Sequence, residues 1–149
     1  MLNQKIVDVK GFSPRYTAPE VFGRMSTNAN IIMIEEEMRS DVYSYSLIVW
    51  EMMTRKIPWS NCIFSSSFFL LFFFFFFLLL FLKKKKKIVV KETAEIDFQV
   101  RSGKREPIPD CKGDEILELL SSIIELSWKQ VPIERPTFNQ IYQKLSSYI

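Results

Sequence analysis

Residues 40–55 read Ser-Asp-Val-Tyr-Ser-Tyr-Ser-Leu-Ile-Val-Trp-Glu-Met-Met-Thr-Arg, and this stretch decides the fold. Ser40 is a suitable N-cap, and Asp41 in the first turn would suit the positive end of the helix dipole. The pattern therefore predicts a helix from Asp41 to about Arg55, which Pro58 prevents from continuing. The apolar residues of this helix lie all around it, so we expect it to be buried at the centre of a core.

Residues 91–149 carry the signals of three further helices. The first is expected over 92–102, with Gly103 as its left-handed C-terminal residue. The second is expected over 115–129, and the third begins at Thr137, where Thr-Phe-Asn-Gln matches a capping box. No segment alternates convincingly as a strand. The expected fold is all-α, with one central buried helix and three C-terminal helices.

Composition excludes several classes of site. The chain has 149 residues, which suits one domain, and it contains no histidine. The absence of histidine excludes His-based general base catalysis, Ser-His-Asp triads and zinc sites that need imidazole. The two cysteines, Cys62 and Cys111, match no metal-ligand spacing. The net charge of +3 depends on the five lysines at 83–87, so it does not indicate a nucleic-acid-binding surface.

Four motifs occur in a fixed order along the chain. They are SPRYTAPE at 13–20, SDVYSYS at 40–46, GKREPIP at 103–109 and WKQVPIERPTF at 128–138. Together they resemble the C-terminal lobe of a protein kinase: the end of the activation segment with its A-P-E motif, the start of the central helix, the G-x-R-x-x-x-P turn and the W-x-x-x-P-x-x-R-P-x-F signature. The last signature resembles the tyrosine-kinase-like group, whereas Ser13 is more similar to Ser/Thr kinases.

The resemblance implies an ion pair and a role for one further carboxylate. Glu20 of the A-P-E motif should pair with Arg135 of the R-P motif, because a guanidinium matches a carboxylate bidentately. The alternative is two surface charges worth roughly 0–1 kcal/mol. Asp41 resembles the aspartate that accepts backbone N–H bonds from the catalytic loop. Because the sequence lacks that loop, we favour a simple dipole role for Asp41.

The resemblance also implies a remnant of the loop against which a substrate peptide lies. That remnant consists of Ser13, Pro14, Arg15 and Tyr16. A proline-directed turn without any partner is the alternative, and we favour it in the absence of the rest of a kinase. Trp50 and Trp128 are expected to be core residues and not ligand contacts.

The parts of a kinase that perform phosphoryl transfer are not found in the sequence. Transfer needs positioned phosphates, metal ligands and a base, which kinases supply from a Gly-rich loop, a strand lysine, H-R-D and D-F-G. The four glycines form no phosphate loop, no histidine could start H-R-D, and Asp8 is followed by Val9. We therefore expect no catalytic, cofactor-binding or metal-binding residue, and a chain that begins inside the activation segment. ATP and Mg²⁺ would bind only to an intact parent kinase.

A low-complexity insert at 62–90 separates the two kinase-like parts, 1–61 and 91–149. Residues 63–82 contain ten phenylalanines and no charge. The segment is long enough for a helix that spans a membrane. A span there would place two halves of one core on opposite sides of a bilayer. We favour a retained, translated intron, since T-rich and A-rich codons produce runs of Phe, Leu and Lys. A membrane anchor and another insertion remain open.

Three functions follow from these patterns. We favour a fragment of a protein kinase domain in the cytoplasm, whose partners are a protein substrate or the missing N-lobe and not a nucleic acid. The first alternative is a non-catalytic, pseudokinase-like interaction module. The second is a single-span protein held in the membrane through residues 63–82.

Overall fold

The computed structural model describes residues 4–6, 13–27, 31–62 and 85–148, with side chains at 13–25, 34–61 and 92–148. Helices dominate the described residues: α1 (Pro19–Thr27), α2 (Ile34–Thr54), α3 (Lys85–Arg101), α4 (Glu115–Ser127) and α5 (Phe138–Ser146). A 3-10 turn at Pro14–Tyr16 precedes α1, and two more lie between helices, at Ser60–Cys62 and Pro132–Glu134. The expected all-α class, with a central helix and three C-terminal helices, is confirmed.

A small β-ladder precedes the central helix and was not predicted. Strand β1 (Gln4–Ile6) pairs antiparallel with β2 (Ile31–Met33), so that Lys5 lies opposite Ile32. Each strand has only three residues, too few for an alternating pattern to be recognised. The ladder fixes the chain directly before Ile34, where the central helix begins.

The central helix α2 begins at Ile34, so the prediction of Ser40 as its N-cap and Asp41 in its first turn was wrong. Three consecutive glutamates, at 35–37, occupy the first turn and are stabilised there by the helix dipole. Ser40 lies inside the helix, where its hydroxyl donates to the backbone oxygen of Glu36 at 2.8 Å. A serine in mid-helix commonly makes this bond instead of a cap.

One face of α2 is buried and the opposite face is not, so the expectation of burial on every side was also wrong. Tyr43 and Leu47 are fully buried. On the other side Ile48 is 48% and Met52 is 74% exposed. The residues are apolar on both sides, but only the inner side has packing partners among the described residues.

Two buried clusters meet at the inner face of α2. The larger one joins α1, α2, α3 and the end of α4, and consists of Ala18, Phe22, Tyr43, Leu47, Val49, Trp50, Trp59, Ile96, Val100, Ile124 and Trp128. The smaller one joins α2, α4 and α5 through Val42, Leu119, Ile123 and Ile141. The expected core positions of Trp50 and Trp128 are confirmed.

The ends of the C-terminal helices follow their local sequence. Gly103 after α3 has a φ of +83°, as its predicted left-handed conformation requires. The Asp114 carboxylate accepts the N–H groups of Ile116 and Leu117 and caps α4. Thr137 and Gln140 form the predicted capping box at the start of α5. The Asp114 and Thr137 caps satisfy backbone N–H donors that have no partner inside a helix.

The hydrophobic stretch at 63–82 lies outside the described residues, as do the intron and membrane-anchor interpretations attached to it. In the described part of the chain, no helix is long and apolar enough to cross a bilayer. Helix α3 begins at Lys85, within the predicted insert at 62–90.

Candidate functional site

The structure brings Glu20 and Arg135 together in a bidentate ion pair. Glu20 is the second residue of α1, and Arg135 follows the turn Pro132–Glu134. Arg135 Nη1 donates to Glu20 Oε1 at 2.7 Å, and Nη2 donates to Oε2 at 2.8 Å. The Arg135 side chain is 0% and the Glu20 side chain 15% exposed. This is a buried pair and not two solvated surface charges.

The remaining donors of the Arg135 guanidinium bind backbone oxygens. Nε donates to Lys129 at 2.8 Å, Nη1 to Arg39 at 2.9 Å and Nη2 to Gln130 at 3.3 Å. All five N–H groups therefore have an acceptor. A buried charge is costly unless it is paired and hydrogen-bonded, and both conditions are met here. The pair ties α1, α2 and the segment after α4 to one point.

The Glu20 carboxylate has a second partner in Ser40, whose single hydroxyl hydrogen is shared between Oε1 at 2.7 Å and the backbone oxygen of Glu36 at 2.8 Å. Burial opposes ionisation of Glu20. The hydrogen bonds and charge of Arg135, together with the Ser40 bond, outweigh that opposition and hold the pKa of Glu20 below its ordinary value. Folding therefore favours the ionised form of Glu20.

We expect the ion pair to make the stability of the fold depend on pH in the acid range. Because the folded pKa of Glu20 is lowered, its contribution is complete above the ordinary glutamate pKa of about 4.3 and is lost as pH falls through the folded value. Urea midpoints measured from pH 6 to pH 2.5 should fall less steeply for Glu20→Gln than for the unsubstituted chain. The exposed Glu134 provides the control Glu134→Gln, which should follow the unsubstituted curve. Parallel curves for all three proteins would contradict this assignment.

The turn Pro14–Tyr16 is anchored from two sides by other parts of the chain. Arg15 Nη1 donates to the backbone oxygen of Pro58 at 2.5 Å, and Arg15 forms an ion pair with Glu92 on α3. The Tyr16 hydroxyl donates to Glu51 on α2 at 2.5 Å. The hydrogen bond to Glu51, burial and the charge of Glu51 raise the pKa of Tyr16 against the opposing charge of Arg15.

A cavity of about 240 Å³ lies between this turn and α2. Its lining consists of Ser13, Tyr16, Thr17, Ala18, Val21, Ser40, Asp41 and Ser44. The Thr17 hydroxyl donates to the Ser13 oxygen at 2.8 Å, and the Ser44 hydroxyl donates to the Tyr16 oxygen at 2.8 Å. These bonds hold the wall of the cavity in place.

Asp41 lies at the exposed edge of this cavity. The favoured dipole role for Asp41 was wrong, because Asp41 is not in the first turn of α2. Within the described residues, no hydrogen bond or ion pair to its carboxylate is formed. Its carboxylate is therefore free to accept donors from outside the described part.

Comparison with known proteins decides the family. The sequence model of the protein tyrosine and serine/threonine kinase family matches residues 4–145. The chain belongs to this family. The kinase-domain resemblance of the four motifs is thereby confirmed.

Kinases of Dictyostelium discoideum and Arabidopsis thaliana are similar to this chain. The dual specificity protein kinase shkC of Dictyostelium discoideum is 30% identical over 138 residues, which is 92% of this chain and 19% of that protein. Serine/threonine-protein kinase 12 of Arabidopsis thaliana is 26% identical over 153 aligned positions, 97% of this chain and 25% of that protein. A probable serine/threonine-protein kinase of Dictyostelium discoideum is 29% identical over 112 residues, which is 74% of this chain and 5% of that protein. The chain spans a quarter or less of the length of these relatives.

In this chain a buried tyrosine ring lies close to two arginine guanidinium groups. The Tyr43 ring has the Arg135 guanidinium carbon 5.1 Å from its centre and that of Arg105 at 5.2 Å. Arg105 also donates to the Trp128 oxygen at 2.7 Å and to Gln130 at 2.8 Å. Burial raises the pKa of Tyr43 to about 12, against the opposing charges of the two arginines. Tyr43 is therefore a neutral π face for both cations at physiological pH.

Sequence reasoning did not assign a role to Arg105, Glu51 or Glu92. A signal existed for Arg105, since it is the arginine of the G-x-R-x-x-x-P motif. Glu51 and Glu92 contact residues 13–16 from distant parts of the chain, and no local pattern marks them. No group of three His, Cys, Asp or Glu side chains in the described ranges could hold a metal ion.

Proposed function

We propose that this chain is the C-terminal-lobe part of a protein kinase catalytic domain whose parent transfers the γ-phosphate of ATP to Ser or Thr side chains of proteins. The observation that carries the proposal is the buried bidentate pair between Glu20 and Arg135. It joins two of the four motifs in the arrangement that the family resemblance implies. Ser13 and the serine/threonine and dual specificity kinases among the relatives support the choice of acceptor.

Within such a parent, this lobe would supply the docking surface for a protein substrate. The support is the anchored turn at Ser13–Tyr16, which Arg15 fixes to α3 and Tyr16 fixes to α2. Binding of a peptide to a rigid edge costs less entropy than binding to a surface that must itself become ordered. The cavity of about 240 Å³ beside the turn is open to accept one side chain of that peptide.

The chain by itself would not catalyse transfer. Its sequence supplies no Gly-rich phosphate loop, no H-R-D and no D-F-G, so it offers neither ligands for Mg²⁺–ATP nor a base for the acceptor hydroxyl. ATP and Mg²⁺ would be held by other parts of the parent. The same proposal places the protein in the cytoplasm, where protein substrates and ATP are available.

The proposal is tested by joining the chain to its own upstream coding sequence. The genomic sequence before the Met1 codon should encode a Gly-rich loop, H-R-D and D-F-G in frame. The 149-residue chain should bind no Mg²⁺–ATP by calorimetry and should transfer no labelled phosphate to a mixed protein substrate. The joined protein should do both, and Glu20→Ala should lower its transfer rate at least about tenfold, which corresponds to about 1.4 kcal/mol.

The control for this experiment is Arg101→Ala, which removes an ion pair with Asp97 on α3, where the Arg101 side chain is 47% exposed, and should leave the transfer rate unchanged. An upstream sequence without these motifs would contradict the proposal and favour the pseudokinase-like interaction module. Release from membranes at alkaline pH separates both from a single-span protein. Sequencing the cDNA across Asn61 to Lys91 decides whether the insert belongs to the mature protein.

A further inference from the structure

The turn that contains Arg15 and Tyr16 is held by acceptors from three distant parts of the chain. Arg15 donates to the backbone oxygen of Pro58 at 2.5 Å and forms an ion pair with Glu92 on α3. The Tyr16 hydroxyl donates to Glu51 on α2 at 2.5 Å. These acceptors lie 35 to 77 positions along the chain from their donors. The position of the turn is therefore fixed by tertiary contacts.

The Arg15–Glu92 contact joins two opposite charges where access of solvent is limited. The Arg15 side chain is 20% exposed and the Glu92 side chain is 26% exposed. Salt screens partly buried pairs less than it screens exposed ones. Hydrogen bonds between two ionised groups are also stronger than those between neutral groups. The pair is therefore suited to hold the turn against α3.

The same physical task is performed in many kinases by a phosphate group. Phosphorylation orders an activation segment because the added anion pairs with an arginine. The requirement is an anion that lies opposite a guanidinium and accepts hydrogen bonds from it. In this chain the Glu92 carboxylate meets the requirement, since it already binds Arg15. A phosphate placed at this guanidinium would compete with Glu92 and would not fill a vacant position.

We propose that Glu92 takes the part that a phosphate group plays in such kinases, so that the turn Pro14–Tyr16 is ordered without phosphorylation. The support for Glu92 comes from its own helix. Ile96 and Val100 of α3 lie in the larger buried cluster, and Glu92 is one helical turn before Ile96 on the same face. A partner or a substitution that moved α3 would therefore release the turn.

The importance of this order for substrate docking rests on the proposed function, but the order itself does not. If the upstream sequence lacked the kinase motifs, the proposed function would fail and the turn would still be held by Glu92. If the turn were not ordered in the phosphate-free chain, this inference would fail and the proposed function would stand. The two failures are seen in different experiments.

Hydrogen exchange of the full 149-residue chain, followed by mass spectrometry, tests the proposal. The chain is produced in bacteria, and its intact mass establishes that it carries no phosphate. The amide of Tyr16 donates to Ser13 at 3.1 Å and the amide of Thr17 donates to Pro14 at 3.3 Å, so both amides report on the turn. A peptide that contains them should exchange at least about tenfold more slowly in the folded chain than in urea.

Two substitutions on α3 assign this protection to the ion pair. Glu92→Ala should raise the exchange rate of the two amides at least about tenfold, because the turn loses its charged contact with α3. Glu95→Ala is the matched control. Glu95 is exposed on the same helix, and its carboxylate accepts from Gln99 one helical turn away. This control should exchange at the rate of the unsubstituted chain.

A third substitution separates the charge of Glu92 from its role as an acceptor. Glu92→Gln keeps an acceptor oxygen without the charge and should give a rate between those of Glu92→Ala and the unsubstituted chain. The amides of Leu47 and Trp50 in α2 should stay protected in each variant, as evidence that the lobe remains folded. If Glu92→Ala unfolded the lobe, the comparison of Glu92→Gln with Glu95→Ala would decide.

Two results would overturn the proposal. The first is fast exchange of the turn in the unsubstituted, phosphate-free chain, which would show that Glu92 does not order it. The second is equal exchange in the Glu92 variants and in Glu95→Ala. That outcome would show that the contacts with Pro58 and Glu51 hold the turn without the ion pair.

Discussion

Replacing Arg135 by alanine is expected to lower the free energy of unfolding by about 3–5 kcal/mol, because the substitution leaves the Glu20 carboxylate inside the protein without its counter-charge. Arg135 is 1% exposed and contributes five hydrogen bonds as well as the stack on Tyr43. Domain stabilities are only about 5–15 kcal/mol. The change should therefore remove a large part of the stability, which urea titration followed by far-ultraviolet circular dichroism would measure in the full chain.

A matched arginine and a double substitution control this prediction. Arg101 forms an ion pair with Asp97 one helical turn away, but its side chain is 47% exposed. Arg101→Ala should therefore cost no more than about 0.5 kcal/mol. Glu20→Ala combined with Arg135→Ala should cost less than the sum of the two single changes, since the second removal no longer strands a charge. An Arg135→Ala protein as stable as Arg101→Ala would show that the pair does not hold the lobe together.

The elements that could be predicted from sequence depend on neighbouring residues. The capping box at Thr137, the left-handed Gly103 and the span of α4 are all set within a few positions of the chain. The start of α2 was also predicted from neighbouring residues, with Ser40 as the N-cap in front of Asp41. It was predicted wrongly because α2 already begins at Ile34, so that Ser40 lies inside the helix and its hydroxyl contacts Glu36 of the same helix and Glu20 of another.

The contacts that build the candidate site join distant parts of the chain. Glu20 and Arg135 are 115 residues apart, so only the resemblance to the kinase family suggested their pairing. The Arg15–Glu92 and Tyr16–Glu51 contacts had no such motif and were not predicted. Composition alone could not show that part of α2 is exposed, because burial depends on which elements pack on a face and not on how apolar the face is.

Replacing Trp50 by alanine is expected to cost about 3–5 kcal/mol, the usual range for removing a buried aromatic side chain. Trp50 is 3% exposed and lies in the larger cluster of the core. Its indole Nε1 also donates to the backbone oxygen of Pro107 at 2.9 Å, which ties α2 to the segment after α3. Trp50→Ala therefore removes packing and a bond to the GKREPIP motif at 103–109. Urea midpoints measured at neutral pH would quantify both losses together.

Two substitutions divide this loss into its parts. Trp50→Phe keeps an aromatic ring but not the N–H donor, so it leaves the Pro107 oxygen without this partner and should cost about 1–3 kcal/mol. Met52→Ala, on the same helix at a 74% exposed position, should change stability by less than about 0.5 kcal/mol. If Trp50→Ala cost no more than Met52→Ala, then α2 would not be packed on its inner face, and the central position of this helix in the lobe would have to be abandoned.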